Sequence, residues 1–190
     1  GDAFWSCTAL RALEIPDSVE AIGSGAFSLC TALETVKLPP KVQGEGEWFT
    51  QCRALKRVTL PECAGCELYG CRSLECIGLF PSAGMSRTTV DGVLMDREQT
   101  RLLRYPPHRP GSRYRVPETV TEIAAGAFSD CTFLEEIILP PKLQWIPFRC
   151  FQRAQSLRAI DFPSEVRGIA ATSFEECTAL EELHIPPHIT

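Results

Sequence analysis

The chain has 190 residues, 44% of them hydrophobic and 23% charged. That balance fits one soluble globular unit and excludes a disordered chain. A net charge of -5, with no strip of interleaved aromatic and basic residues, argues against nucleic acid as a partner, and no run of eighteen apolar residues is present for membrane insertion.

The opening GDAFWSC carries no basic stretch followed by an apolar one, so no signal peptide is visible. The chain starts and stops inside a repeating pattern and reads as a trimmed piece. Phe4 sets that pattern. It is followed by Cys7 and Leu10 at three-residue steps, then by Leu13, Ile15 and Pro16. The same order returns as Phe27, Cys30, Leu33, Val36, Leu38 and Pro39, and again as Phe49, Cys52, Leu55, Val58, Leu60 and Pro61. A degenerate copy runs Leu68, Cys71, Leu74, Ile77, Leu79 and Pro81. Later copies run Phe128, Cys131, Leu134, Ile137, Leu139, Pro140; Phe151, Ala154, Leu157, Ile160, Phe162, Pro163; and Phe174, Cys177, Leu180, Leu183, Ile185, Pro186. Regular copies lie 23 residues apart, the period of a leucine-rich-repeat solenoid.

Each unit explains itself physically. The end of L-x-x-I-x-I alternates as a strand does, and the following Pro stops the strand because it has no amide hydrogen to donate. A second aliphatic pair follows (Val19/Ile22, Val120/Ile123, Leu143/Ile146, Val166/Ile169), and a turn returns the chain to the next aromatic. One coil cannot bury its own apolar face, so coils stack. At ~4.8 Å per strand, seven coils make a rod roughly 30–40 Å long. The expected fold is a β-rich, right-handed leucine-rich-repeat superhelix, one domain over 1–190, with repeats at about 3–84 and 116–190.

Between Leu68 and Phe128 the period fails. Val90, Val93, Leu94, Leu102 and Leu103 flank a polar stretch around Asp96–Gln99, which predicts an inserted β-hairpin over about 85–115. Val116-Pro117 re-enters the strand-Pro position. From Met85 to Arg115 there are seven Arg against Asp91, Asp96 and Glu98, a local balance of +4 that leaves -9 for the remainder. Three readings fit that charge: a solvated face, an anion-binding patch, or a segment packed on acidic coils.

Cys7, Cys30, Cys52, Cys71, Cys131 and Cys177 share one repeat position, which Ala154 occupies once. A site accepting Cys or Ala is small and apolar, so these six are expected to be reduced core thiols. Cys150 reads as a further small core residue. Cys63, Cys66, Cys71 and Cys76 lie within fourteen residues. Free thiols, a Cys63–Cys66 or Cys63–Cys76 disulfide, and a zinc site are the alternatives, and the spacing lacks the second C-x-x-C of a zinc ribbon. Cys76 falls at an outward strand position.

His108, His184 and His188 have no partner at a recognisable catalytic spacing, and no nucleophile, phosphate-loop or dinucleotide motif occurs. Glu135/Glu136 and Glu181/Glu182 recur at equivalent positions, as a solvated face would. No enzyme, cofactor or metal site is expected. Binding falls instead to the outward strand positions, which alternate with the core. The candidate partner-binding face is Glu14, Lys37, Arg57, Thr59, Glu136, Ile138, Asp161, Glu182 and His184, stacked as one sheet face.

AFSLCTALETVKLPPKV, VTEIAAGAFSDCTFLEEIILPPKL and SFEECTALEELHIPP together resemble the BspA-type leucine-rich repeats of bacterial surface proteins, and DGVL…LLRYPP resembles the hairpin such proteins carry. The resemblance implies a non-enzymatic binding module at the cell surface, a monomer contacting an unknown protein or glycan in adhesion. An intracellular scaffold or structural spacer is the alternative.

Overall fold

The computed structural model describes residues 1–44, 46–62, 68–82, 84–187 and 189. Its strands in chain order are β1 (Ala12–Glu14), β2 (Thr35–Lys37), β3 (Arg57–Leu60), β4 (Cys76–Leu79), β5 (Arg87–Val90), β6 (Val93–Asp96), β7 (Arg101–Arg104), β8 (Arg113–Arg115), β9 (Glu122–Ile123), β10 (Glu136–Ile138), β11 (Trp145–Ile146), β12 (Ala159–Asp161), β13 (Gly168–Ile169) and β14 (Glu182–Leu183). No helix occurs among the described residues. The fold is a β-solenoid of about seven coils.

Each L-x-x-I-x-I segment forms a strand of two to four residues, and equivalent strands pair in parallel. β1-β2-β3-β4 makes one four-stranded sheet and β8-β10-β12-β14 another. The Pro after each strand opens a turn closed by the amide three residues on, as in Val19 N–H to Pro16 O (3.0 Å) and Val120 N–H to Pro117 O (3.0 Å). That turn delivers the chain to a second, shorter ladder, where β11 pairs β13 in parallel.

The third side of each coil is a pair of tight corners around A-F-S-x-C. The residue before the Cys position takes a positive φ in coil after coil: Ser6, Leu29, Gln51, Gly70, Asp130, Arg153 and Glu176, all between 58° and 73°. Coils are tied here by backbone bonds such as Phe128 N–H to Cys150 O (2.9 Å) and Asp130 N–H to Gln152 O (2.8 Å). The cost of a left-handed residue is offset by bonds that only this geometry aims at the next coil.

The core is built of ladders. Phe4, Phe27 and Phe49 stack at centroid distances of 5.5 and 5.6 Å, and Phe128, Phe151 and Phe174 at 5.3 and 5.2 Å. Leu33, Leu55, Leu74, Leu134 and Leu157 are buried beside them. Cys30, Cys52, Cys71 and Cys131 are free and buried, as expected, and Cys150 and Ala154 are buried too. The thiols also act as donors: Cys30, Cys52, Cys71 and Cys177 point at the Phe4, Phe27, Phe49 and Phe151 carbonyls at 3.0–3.2 Å. Two of the six depart from the expectation of a core thiol. Cys7 is exposed and Cys177 half-buried, each in a coil near one end of the stack. Cys63 and Cys66 lie outside the described residues.

The middle segment differs from the predicted hairpin. It is a three-stranded meander, β5-β6-β7, whose last strand joins β9 in parallel. The extra turn is Asp91-Gly92, with φ of 49° and 79° joining Val90 to Val93, the two-residue connection that Asp-Gly favours. The polar stretch at 96–99 is the second turn, where Asp96 accepts bonds from Thr100 and Arg101. Repeat strands resume at Arg113, inside the span assigned to the hairpin, because Arg113–Arg115 pairs in register with Glu136–Ile138.

The meander is apolar on both faces. Val93, Met95 and Leu102 belong to the core of the later coils, whereas Leu94 belongs to that of the earlier ones. Successive side chains of β6 therefore serve different cores. Tyr105 stands 23 residues before Phe128, makes the same coil-to-coil bond (Tyr105 N–H to Ala127 O, 2.9 Å) and heads the later ring stack at 5.2 Å.

At the seam sits Arg104, 1% exposed. Its guanidinium donates to the carbonyls of Leu68, Gly126 and Ser129 and to Ser129 Oγ, and lies over the Tyr69 ring. Nearby Asp130, also 1% exposed, binds Arg72 from one side at 3.2 Å and Arg153 from the other at 2.8 Å. These groups stitch the earlier coils to the later ones.

Candidate functional site: the strand face

Apart from His184, the outward positions predicted from alternation lie on strands, but on two sheets. Glu14 (β1), Lys37 (β2), Arg57 and Thr59 (β3) belong to the first sheet. Glu136 and Ile138 (β10), Asp161 (β12) and Glu182 (β14) belong to the second, and His184 follows β14. The single continuous face expected from stacking is divided because β4 and β8 do not pair; the meander and the Tyr105–Ser112 connection lie between them in the chain. Cys76, expected to face outward, is half-buried. The Asp91-Gly92 turn covers it: Gly92 O accepts Ile77 N–H, and a Cβ on Gly92 would stand 2.9 Å from Cys76 Sγ.

On the first sheet the charges are largely spent on one another. Lys37 binds Glu14, a hydrogen bond and charge that lower the Glu14 pKa and raise that of Lys37. Arg57 approaches Glu75, and Lys56 approaches Glu34.

The second sheet carries a groove of about 770 Å³ across β8, β10 and β12. Its outward rows follow from register. One row is Arg113, Glu136, Ala159 and Glu182; the next is Arg115, Ile138 and Asp161. Arg113 binds Glu136 at 2.7 Å, which raises the Arg113 pKa. In the next row half-buried Ile138 separates Arg115 from Asp161. Two strand spacings, ~9.6 Å, hold those charges beyond pairing distance, and neither makes an ion pair among the described residues. The row therefore offers a cation, an apolar centre and an anion in sequence.

Arg113 and Arg115 were assigned to the hairpin from sequence. The signal for placing them on the sheet was present: Val116-Pro117 fills the strand-Pro position, so Tyr114 takes the inward place of Ile137. Phe133 was also missed. It stands where other copies have Ala9, Ala32, Ala54 and Ala179, and is 52% exposed. His108 meets it edge-on at 4.5 Å in a second hollow of about 470 Å³. Ser112 and Glu135 line both hollows, so the aromatic adjoins the groove.

The Arg-rich segment is largely absorbed by the solenoid, as in the reading that packs it on acidic coils. Arg87, Arg101 and Arg113 pair with Glu62, Glu122 and Glu136, Arg104 is buried, and Arg109 donates to Asp91 O while lying over Tyr105 and Tyr114. Among the described residues no group of three or more His, Cys, Asp or Glu is arranged to hold a metal ion, and no helix is long and apolar enough to cross a membrane.

Solved structures resemble this fold. A leucine rich cell surface protein from Faecalibacterium prausnitzii matches at 26% identity and TM-score 0.77, covering 100% of this chain and 57% of that one. The pneumococcal vaccine antigen PcpA matches at 26% identity and TM-score 0.82, covering 95% of this chain and 46% of that one. A leucine-rich repeat protein from Eubacterium ventriosum, 16% identical with TM-score 0.59 over 96% of this chain and 68% of its own length, shares the fold. This chain thus spans about half the length of the first two. No curated protein sequence matches it. Residues 1–79 and 112–190 match the BspA type leucine rich repeat region in six copies, and the chain belongs to that family.

Proposed function

We propose that the chain is a non-enzymatic binding module whose second sheet grips a protein partner. The carrying observation is the row Arg115–Ile138–Asp161 in its groove, with Phe133 exposed at the groove's edge. A complementary partner places an acidic group over Arg115, an apolar one over Ile138 and a basic one over Asp161. Aromatic and aliphatic anchors supply affinity, and the flanking charges fix orientation. Glu136 and Glu182 border the row; Glu14, Lys37, Arg57 and Thr59 form a separate surface on the first sheet. A cell-surface location is supported by the Faecalibacterium neighbour, a leucine rich cell surface protein, and adhesion is the role proposed for a binding face held there.

The test is a display library of secreted and surface ectodomains screened with the purified chain. Binders are then measured against Ile138→Asp, Phe133→Ala, Arg115→Asp and Asp161→Arg. Each variant is expected to weaken binding at least ~10-fold, about 1.4 kcal/mol. Binders indifferent to all four, with circular dichroism unchanged, would overturn the assignment.

A second reading, an intracellular scaffold, draws on the eight free thiols among the described residues, which suit a reducing compartment. Counting reactive thiols in protein taken from its native cell and denatured without reductant separates the two.

A further inference from the structure

The second ladder holds a feature that strand-face binding does not use. Trp145 and Gly168 of that ladder, and Glu122 of β9 one period earlier, stand before inward isoleucines, 23 residues apart. Trp145 is 52% exposed, although tryptophan on a soluble surface is ordinarily covered. Its indole rests against Gly168: a Cβ there would lie 2.0–2.7 Å from three atoms of the six-membered ring. No larger residue fits under the ring, so Gly168 serves as its seat, and much of the ring stays open to solvent.

A groove of about 730 Å³ runs beside the ring, lined by Glu122, Lys142, Gln144 and Glu165. Glu122 is held by Arg101 at 3.0 Å. Lys142, Gln144 and Glu165 make no side-chain hydrogen bond or ion pair among the described residues. A fixed aromatic surface thus stands next to uncommitted donors and acceptors.

That combination selects a ligand that is apolar on one face and hydroxylated at its edge. A pyranose has this form: its axial C–H groups lie on an aromatic ring while its hydroxyls bond carboxylate, amide and ammonium groups. With Glu122 paired to Arg101 and Lys142 balancing Glu165, the groove carries no net charge, which matches a neutral ligand and gives uronic acids, sialic acids and nucleotides no surplus of cations to hold them. We infer that Trp145, on its Gly168 seat, forms a subsite for a neutral pyranose within a glycan chain. The site lies on a different sheet from Ile138, so this inference and the protein-binding assignment fail separately.

The experiment uses the whole 190-residue chain, labelled and applied to printed neutral glycans (glucans, galactans, N-acetylglucosamine oligomers) and to acidic ones. Neutral hits are titrated by calorimetry, with dissociation constants expected on the order of 1 mM. Trp145→Ala, which removes an exposed ring, should weaken binding at least ~10-fold with an unchanged melting temperature. Gly168→Ala should displace the ring and weaken binding likewise, and Ile138→Asp should leave it unchanged. No neutral binding at about 10 mM, binding confined to acidic glycans, or binding undiminished in Trp145→Ala would each overturn the inference.

Discussion

Phe151 offers the sharpest test of how the stack is held. Its ring is fully buried, 5.3 Å from Phe128 and 5.2 Å from Phe174, with planes within 14–19°. Phe151→Ala removes a complete core side chain, which costs about 3–5 kcal/mol. Two stacked ring pairs account for roughly 1–3 kcal/mol of that. Phe151→Leu keeps much of the apolar volume but loses both ring pairs, so it should cost about 1–3 kcal/mol. Urea unfolding followed by far-ultraviolet circular dichroism reads both. With m near 2 kcal/mol/M, the alanine variant shifts the midpoint by roughly 2 M. Phe133→Ala is the control: its half-exposed ring lies outside the ladder and meets His108 edge-on, so its removal should change stability by less than about 1.5 kcal/mol. If Phe151→Ala costs no more than Phe133→Ala, or Phe151→Leu costs nothing, the ring ladder does not support the solenoid.

Arg104→Met leaves the carbonyls of Leu68, Gly126 and Ser129 without their charged donor and should cost about 1–3 kcal/mol in calorimetric unfolding. Arg104→Lys should not rescue it, since an ammonium lacks the planar fork that reaches several acceptors; full stability in the lysine variant would refute the seam's role. The core thiols make stability fall with alkali. Burial pushes Cys71 and Cys131 up to about 12, so the folded state keeps protons that the unfolded state sheds above pH ~8.5. Stability is full below that pH and declines toward pH 12, by about 1.4 kcal/mol per unit per thiol, or roughly 4 kcal/mol at pH 10 for the pair. Urea midpoints equal at pH 7 and pH 10 would contradict this.

The repeat was legible because one coil's needs recur. An aromatic, a small residue, a leucine and a strand-ending proline each answer a local demand, and a fixed period makes their neighbours predictable. The meander was less legible. Val93, Leu94 and Met95 show no alternation because both faces of β6 are buried, and an unbroken apolar run does not say which core each side chain enters. Asp91-Gly92 was a visible turn signal, overlooked beside the more polar Asp96–Gln99. Tyr105 hid as a ring of a different type at the correct spacing. The division of the strand face is a tertiary fact, since alternation assigns a side chain to a surface and cannot say whether neighbouring strands remain paired. Trp145 was unreadable as a site because its meaning depends on Gly168 in the next coil.

The two-faced strand β6 also bears on how such a chain can change length. Leu94 closes one stack and Val93 and Met95 open the other, so the meander works as a coupling with two independent fittings. A coil duplicated or lost on one side alters only that side's neighbours, and the opposite stack meets the same surface as before. Growth by whole units is thereby separated from the groove across β8, β10 and β12, which can keep its shape while the reach of the rod on the far side varies.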